Sequence, residues 1–303
     1  MYAVHVKHLT KVYGKEKTVA VDDVSLTVNR GELFGLIGPD GAGKTSIFRM
    51  LTTLLLPDGG SATVDGYDIV KDYTSIRSTV GYMPGKFSLY PDLTIEENLN
   101  FFATVFGTTI EENYHLIKDI YIQIEKFKTR RAGKLSGGMK QKLALCCALI
   151  HKPSILFLDE PTTGVDPVSR KEFWEMLKRL KQQGITIMVS TPYMDEATLC
   201  DRIALIQQGK ILSVDTPENI TQSYPDVLYA IKAGSMYALL KAMDAYDKAT
   251  DSYAFGEYAH ISFREAVDED TVKDYLQEKG LTGVELHRIE ATIEDCFINL
   301  LRK

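Results

Sequence analysis

Gly38-Pro39-Asp40-Gly41-Ala42-Gly43-Lys44-Thr45, followed by Ser46, fits the pattern G-x-x-x-x-G-K-[ST], whose backbone wraps phosphate groups. The flanking sequence decides how it is read. Upstream, Leu33-Phe34-Gly35-Leu36-Ile37 is a short apolar run of strand character, and it follows a second such run, Val24–Val28, across the turn Asn29-Arg30-Gly31. Downstream, Ile47, Met50, Leu51, Leu54 and Leu55 recur at helical spacing, which predicts one buried helix face ending at Pro57-Asp58-Gly59-Gly60. The order is strand, glycine loop, helix. Small residues in such a loop let N–H groups approach an anion, and the helix N-terminus adds positive potential. Lys44 is placed to reach the β- and γ-phosphates, and Thr45 to offer its hydroxyl to Mg²⁺.

A second stretch, Ile155-Leu156-Phe157-Leu158-Asp159-Glu160-Pro161, puts two carboxylates at the end of a fully apolar run. Such a run reads as a buried parallel strand, and ligands collect at the carboxyl ends of strands in open α/β sheets. Asp159 is expected to hold Mg²⁺, and Glu160 to orient or deprotonate an attacking water. Asp166-Pro167 then opens a helix whose buried stripe is Phe173, Leu177 and Leu180, followed by a strand over 185–190. Strands alternating with helices predict a mostly parallel sheet covered on both faces. Thr94-Ile95-Glu96-Glu97 has the spacing of a capping box, so residues of about 88–150 are expected to form a helical subdomain.

Composition sets the outer limits. A chain of 303 residues with 45% hydrophobic and 25% charged residues matches globular usage and predicts roughly two domains. Lys and Arg total 35 against 41 Asp and Glu, a net charge of -6 that supplies no global drive onto nucleic acid. Cys146, Cys147, Cys200 and Cys296 show no metal-ligand spacing, and no apolar stretch approaches the ~20 residues that cross a bilayer. With no leader segment at the N-terminus, the expected compartment is the reducing cytosol.

Leu135-Ser136-Gly137-Gly138-Met139-Lys140-Gln141 lies between the two motifs, and with it residues 1–218 resemble the ATP-binding subunit of ABC transporters. The resemblance implies a P-loop NTPase fold, ATP and Mg²⁺ as ligands, and separate transmembrane permease subunits at the inner face of the membrane. It also implies a head-to-tail pair of ATPase subunits. Each ATP then lies between one phosphate loop (Gly38 to Ser46) and the Leu135-Ser136-Gly137-Gly138 segment of the other subunit. Tyr13 matches the aromatic residue that stacks on adenine, against plain packing as the alternative, and Asp166 matches the acid of the inter-subunit loop while also suiting a helix cap. The phosphate loop and Arg130-Arg131-Ala132-Gly133-Lys134 are similar to one half of bacterial drug-export ATPases with two non-identical sites.

Two positions depart from the family pattern. Gly85 stands where a glutamine usually touches Mg²⁺ and water, and Pro192 where a histidine usually contacts the γ-phosphate. Losing one such contact costs about 10²–10³ in rate, so slow turnover is expected unless Lys44 and Glu160 suffice. This leaves a working homodimeric ATPase of an exporter beside a weakly hydrolysing half of an asymmetric pair. From 219 to 303 the order βαββαβ predicts a small ferredoxin-like α+β domain, either regulatory or a packing appendage.

Overall fold

A computed structural model describes residues 2–302, which divide after Pro217 into two compact units. The first unit runs β1 (Tyr2–Tyr13), β2 (Thr18–Asn29), β3 (Leu33–Ile37), α1 (Lys44–Leu51), β4 (Gly59–Val64), β5 (Tyr67–Asp68), α2 (Tyr73–Thr79) and β6 (Val80–Met83). It continues through α3 (Ile95–Val105), α4 (Ile110–Tyr121), α5 (Gly137–Leu149), β7 (Ile155–Asp159), α6 (Pro167–Gln182), β8 (Thr186–Thr191), β9 (Arg202–Gln207) and β10 (Lys210–Asp215). The short α7 (Pro217–Gln222) follows. The second unit carries β11 (Val227–Lys232), α8 (Met236–Asp244), β12 (Ala249–Phe255), β13 (Tyr258–Phe263), α9 (Glu269–Glu278), β14 (Glu285–Ile289) and α10 (Ile293–Leu301).

The central sheet has the order β10-β9-β3-β8-β7-β6 and is parallel except for the β9–β10 hairpin. Alternate residues explain why its strands are apolar throughout. Phe34, Leu36, Ile155, Phe157 and Met188 enter one core together with Ile47, Phe48 and Leu51 of α1 and the inner residues of β1, β2 and β4. Leu33, Ile37, Leu156, Leu158, Ile187 and Val189 are buried outside that cluster, and α6 packs on β3 and β8. Period-two alternation with both faces covered gives near-continuous hydrophobic strands. The runs at Val24–Val28 and Leu33–Ile37 enter different sheets: β2 joins an antiparallel sheet of order β2-β1-β4-β5.

Helix α1 is shorter than its apolar spacing predicts. It ends at Leu51, and Leu54, expected on the buried face, is 57% exposed, because the chain turns out of the helix before that residue. The left-handed Thr53 marks the exit. The capping box at Thr94 and Glu97 is formed, and Thr109 with Glu112 makes a second one at the start of α4. In the second unit β14-β11-β13-β12 form an antiparallel sheet, with β11 central to both ends of the βαββαβ path. This is the ferredoxin-like arrangement, and Leu239, Met243, Val272 and Leu276 of its two helices share one core with Ile231 and Ile261.

Candidate functional site

The carboxyl ends of β3, β7 and β8 converge on the glycine loop. Gly38 N–H donates to the Thr191 carbonyl at 3.2 Å, which ties the start of the loop to the end of β8. Gly43 is a position that only glycine can fill. Its φ is 105°, and a Cβ there would stand 2.2 Å from the Ala20 carbonyl oxygen. The loop is also held from outside, where Gly209 in the β9–β10 turn donates its N–H to Ala42 O at 2.9 Å. Lys44, almost wholly buried, turns back over the loop. Its ammonium donates to the carbonyls of Gly38 (2.7 Å) and Pro39 (3.0 Å) and pairs with Glu160 Oε1 at 3.1 Å. That pair brings together the ends of two motifs lying more than a hundred residues apart in sequence, so Thr45 and Asp159 each sit one residue from it.

Asp159 ends β7 and is buried. Its Oδ1 accepts a hydrogen bond from Ser190 Oγ on the neighbouring strand at 2.6 Å. Glu160 leaves the strand with φ 50°, a left-handed conformation that costs a non-glycine residue on the order of 1–3 kcal/mol. Its N–H is held at 3.0 Å by both the carbonyl and the hydroxyl oxygen of Ser190, and the resulting turn aims its carboxylate at Lys44. Next to this corner, burial and the Asp159 carboxylate push the Tyr82 hydroxyl up to about 12, an effect partly offset by Arg49. The phenol therefore stays protonated at neutral pH.

Gly85 and Pro192 both adjoin this corner. A Cβ on Gly85 would stand 3.0 Å from the Asp159 carbonyl oxygen and 3.7 Å from Glu160 Cβ, so position 85 faces the two acids directly. Pro192 follows Thr191, and a proline offers neither an N–H nor a polar side chain. The segment after it is pinned by buried Glu196. This carboxylate accepts from Thr191 Oγ1 (2.5 Å), Thr162 Oγ1 (2.8 Å) and the Arg170 guanidinium (3.0 and 3.1 Å), while Arg170 also stacks on Tyr193.

The remaining predicted residues sit on adjoining elements. Tyr13 ends β1 with its ring partly exposed and its hydroxyl 3.1 Å from Ser46 Oγ, and Asp58 fixes that strand end by accepting from Val12 N–H at 2.7 Å. Ser136 caps α5, its hydroxyl accepting from Met139 N–H at 3.4 Å. Leu135 is buried. A Cβ on Gly138 would stand 2.8 Å from Ser169 Oγ, so the Ser136-Gly137-Gly138 turn packs against the start of α6. Asp166 caps α6, and the Ser169 N–H (3.0 Å) holds its carboxyl below the usual range. Pro39, Asp40, Gly41 and Ala42 complete the loop, with Gly41 at φ 79°.

These donors suit a hard divalent cation completed by phosphate oxygens. They offer one hydroxyl, at Thr45, and one carboxylate, at Asp159. Among the described residues no group of three or more His, Cys, Asp or Glu is placed to hold a metal on its own. Sequence reasoning missed Ser190, Glu196 and Gly209. For Ser190 a signal existed, since a hydroxyl at the end of the apolar strand Ile187-Met188-Val189 must find a partner.

Comparison with known proteins adds a further finding. A family model described as ABC transporter matches residues 21–163. A probable multidrug ABC transporter ATP-binding protein, YbhF of Escherichia coli, is 38% identical over 287 residues, which cover 93% of this chain and 49% of YbhF. The chain thus spans about half the length of that relative. The Nod factor export ATP-binding protein I of Burkholderia lata is 35% identical over 300 residues, 97% of this chain and 95% of its own. Among solved structures, the dimeric ATP-binding cassette MJ0796 in a post-hydrolysis state with ADP and Pi superposes with a TM-score of 0.64 at 27% identity, covering 70% of this chain and 98% of that one. No helix among the described residues is long and apolar enough to cross a membrane.

Proposed function

Because the chain belongs to the ABC transporter family of ATP-binding subunits, we propose that it binds and hydrolyses ATP to drive an exporter whose membrane-spanning subunits are separate chains. The Lys44–Glu160 contact at 3.1 Å carries this reading, because it sets a phosphate-binding ammonium beside a carboxylate able to accept a proton from water. Gly41 to Ser46 surround the phosphates with backbone N–H groups at the start of α1. Tyr13 stacks on the adenine with its exposed ring face. Lys44 moves from the loop carbonyls to the phosphate oxygens, and Glu160, released from Lys44, orients the attacking water. Thr45 and Asp159 hold Mg²⁺, which when bound neutralises part of the phosphate charge.

A second copy or a related ATPase subunit supplies its own Ser136-Gly137-Gly138 turn to this site, and Asp166 lies at the crossing. The permease is assigned to the apolar cleft of about 250 Å³ between β6, α3 and α5, lined by Tyr82, Met83, Leu89, Phe102 and Phe106, with exposed Leu54 at its wall. The wall of that cleft continues through Pro84 into Gly85 at the catalytic corner. Such partners hold the chain at the inner face of the membrane. The names of its relatives, multidrug transporter and Nod factor export proteins, support a drug or a Nod factor-type molecule as the exported class.

Gly85 and Pro192 favour a second reading, a half-site that binds ATP tightly and turns over slowly beside a complete partner. Mg²⁺-ATP hydrolysis by the purified chain, measured across protein concentration, separates the two. A rate per subunit that rises with concentration supports the homodimeric engine. Tight binding without turnover, with a gain of about tenfold or more in the Gly85→Gln, Pro192→His double variant, supports the half-site. Failure to bind ATP overturns both.

A further inference from the structure

The hydroxyl of Ser190 occupies a place that no packing argument requires. β8 is central in the sheet, between β3 and β7, and Ser190 stands in register with Leu36 on one side and Asp159 on the other, with no exposed surface. A buried hydroxyl has one proton and two lone pairs to satisfy. Here the proton goes to Asp159 Oδ1 at 2.6 Å, the short range of a hydroxyl on an ionised carboxylate, and one lone pair accepts the Glu160 N–H at 3.0 Å. One oxygen atom therefore touches both acids of the site, the first through its side chain and the second through its backbone.

We propose that Ser190 is a positioning residue for the divalent cation and the attacking water. Its bond to Oδ1 fixes the rotation of the Asp159 carboxylate, so that Oδ2 is the oxygen presented at the end of the sheet. Its grip on the Glu160 N–H helps keep the left-handed turn that sends Glu160 toward Lys44. The carbonyl of the same residue also accepts that N–H, so removing the hydroxyl leaves Glu160 anchored while freeing Asp159. The cation is then affected before the fold is. Groups that orient metal ligands in this way change affinity by about 10- to 100-fold when removed.

The inference rests on the nucleotide-site reading above, and its test separates the two. ATP binding by the full chain is followed by thermal shift, once in EDTA and once with Mg²⁺ titrated in, for the unmodified protein, Ser190→Ala and Ser190→Thr. The Mg²⁺ concentration giving half of the additional shift is expected to rise about tenfold or more in Ser190→Ala, with ATP binding in EDTA kept within about twofold. Ser190→Thr, which keeps the hydroxyl, is expected to return toward the unmodified value. An unchanged Mg²⁺ requirement in Ser190→Ala overturns the proposal, as does a loss of the same size in EDTA or a threonine variant that behaves like alanine. An unmodified chain that shows no ATP-dependent shift at all overturns the underlying site reading, and this proposal with it.

Discussion

Among the described residues each unit buries one aspartate, and the two are treated in opposite ways. Asp295 at the start of α10 has both oxygens saturated: Oδ1 accepts from Tyr253 OH (2.6 Å) and from His260 Nδ1 (2.7 Å), and Oδ2 from the N–H (2.6 Å) and Oγ1 (2.7 Å) of Thr292. Asp159 has a hydrogen bond to only one oxygen among the described residues, from Ser190. A buried carboxylate with every lone pair used is a clamp, here joining β12, β13 and α10. One with an oxygen left over at a strand end, beside a lysine that is itself held by carbonyls, is arranged for something that arrives. The difference separates structural from functional polarity without any appeal to fold.

Removing charge from the open corner should cost chemistry and leave stability almost untouched. Glu160→Gln is expected to lower Mg²⁺-ATP turnover by about 10²–10⁴ while the melting temperature of the unliganded chain moves little. A large destabilisation in that variant would place Glu160 with the clamps. The closed network should do the reverse. Asp295→Ala leaves Tyr253, His260 and Thr292 without their acceptor, and the loss is about 2–4 kcal/mol in the second unit, read from urea unfolding, with ATP affinity unchanged. Burial works against the Asp295 charge, yet the hydrogen bonds from His260, Tyr253 and Thr292 outweigh it and hold the carboxyl below 3.8. A depressed carboxylate contributes stability above its unfolded value, so this contribution is present at neutral pH and fades only as pH falls through the lowered folded value.

How much of this was legible follows from what each residue depends on. The glycine loop, the strand Ile155–Asp159 and the caps at Thr94 and Asp166 are local patterns, and their chemistry can be read from neighbours a few positions away. The βαββαβ order of the second unit is equally local, because each element has its own periodicity. Leu54 was misread since the spacing that places Leu51 inward continues past the point where the helix ends. The hydroxyl ending the apolar strand at Ser190 signals that a partner is needed, but which partner is not legible for Ser190 or Glu196, because theirs lie up to 34 positions away across neighbouring segments. Gly209 is further still from the loop it clamps, and only the sheet order β9-β3 brings them together. Motifs announce the groups that meet a ligand, and the residues that aim those groups are set by strand register.

His151 gives the finest test of the distinction, because it is half-buried in the first unit but belongs to neither arrangement. Its ring stacks on Phe106 with centroids 3.8 Å apart, Nε2 lies 3.0 Å from the Val80 carbonyl oxygen, and Nδ1 is buried without a hydrogen-bond partner among the described residues. Burial lowers its pKa below 6.5, against the opposing pull of the Val80 carbonyl. In the unfolded chain the ring binds a proton near pH 6.5, and in the folded chain it does so only at lower pH. Stability from this group is therefore full above 6.5 and declines as pH falls toward the lowered folded value. His151→Phe keeps a ring for Phe106 to stack on and removes the titration, so its unfolding free energy should lose acid-side slope just below pH 6.5 relative to the parent chain. The effect is the smallest of the three, and it concerns stability alone, since His151 lines the apolar cleft between β6, α3 and α5 and hydrogen-bonds to the Val80 carbonyl, not to Lys44, Asp159 or Glu160. A change in Mg²⁺-ATP turnover in that variant, with the slope unaltered, would show that the cleft is coupled to the catalytic corner through β6 and Gly85.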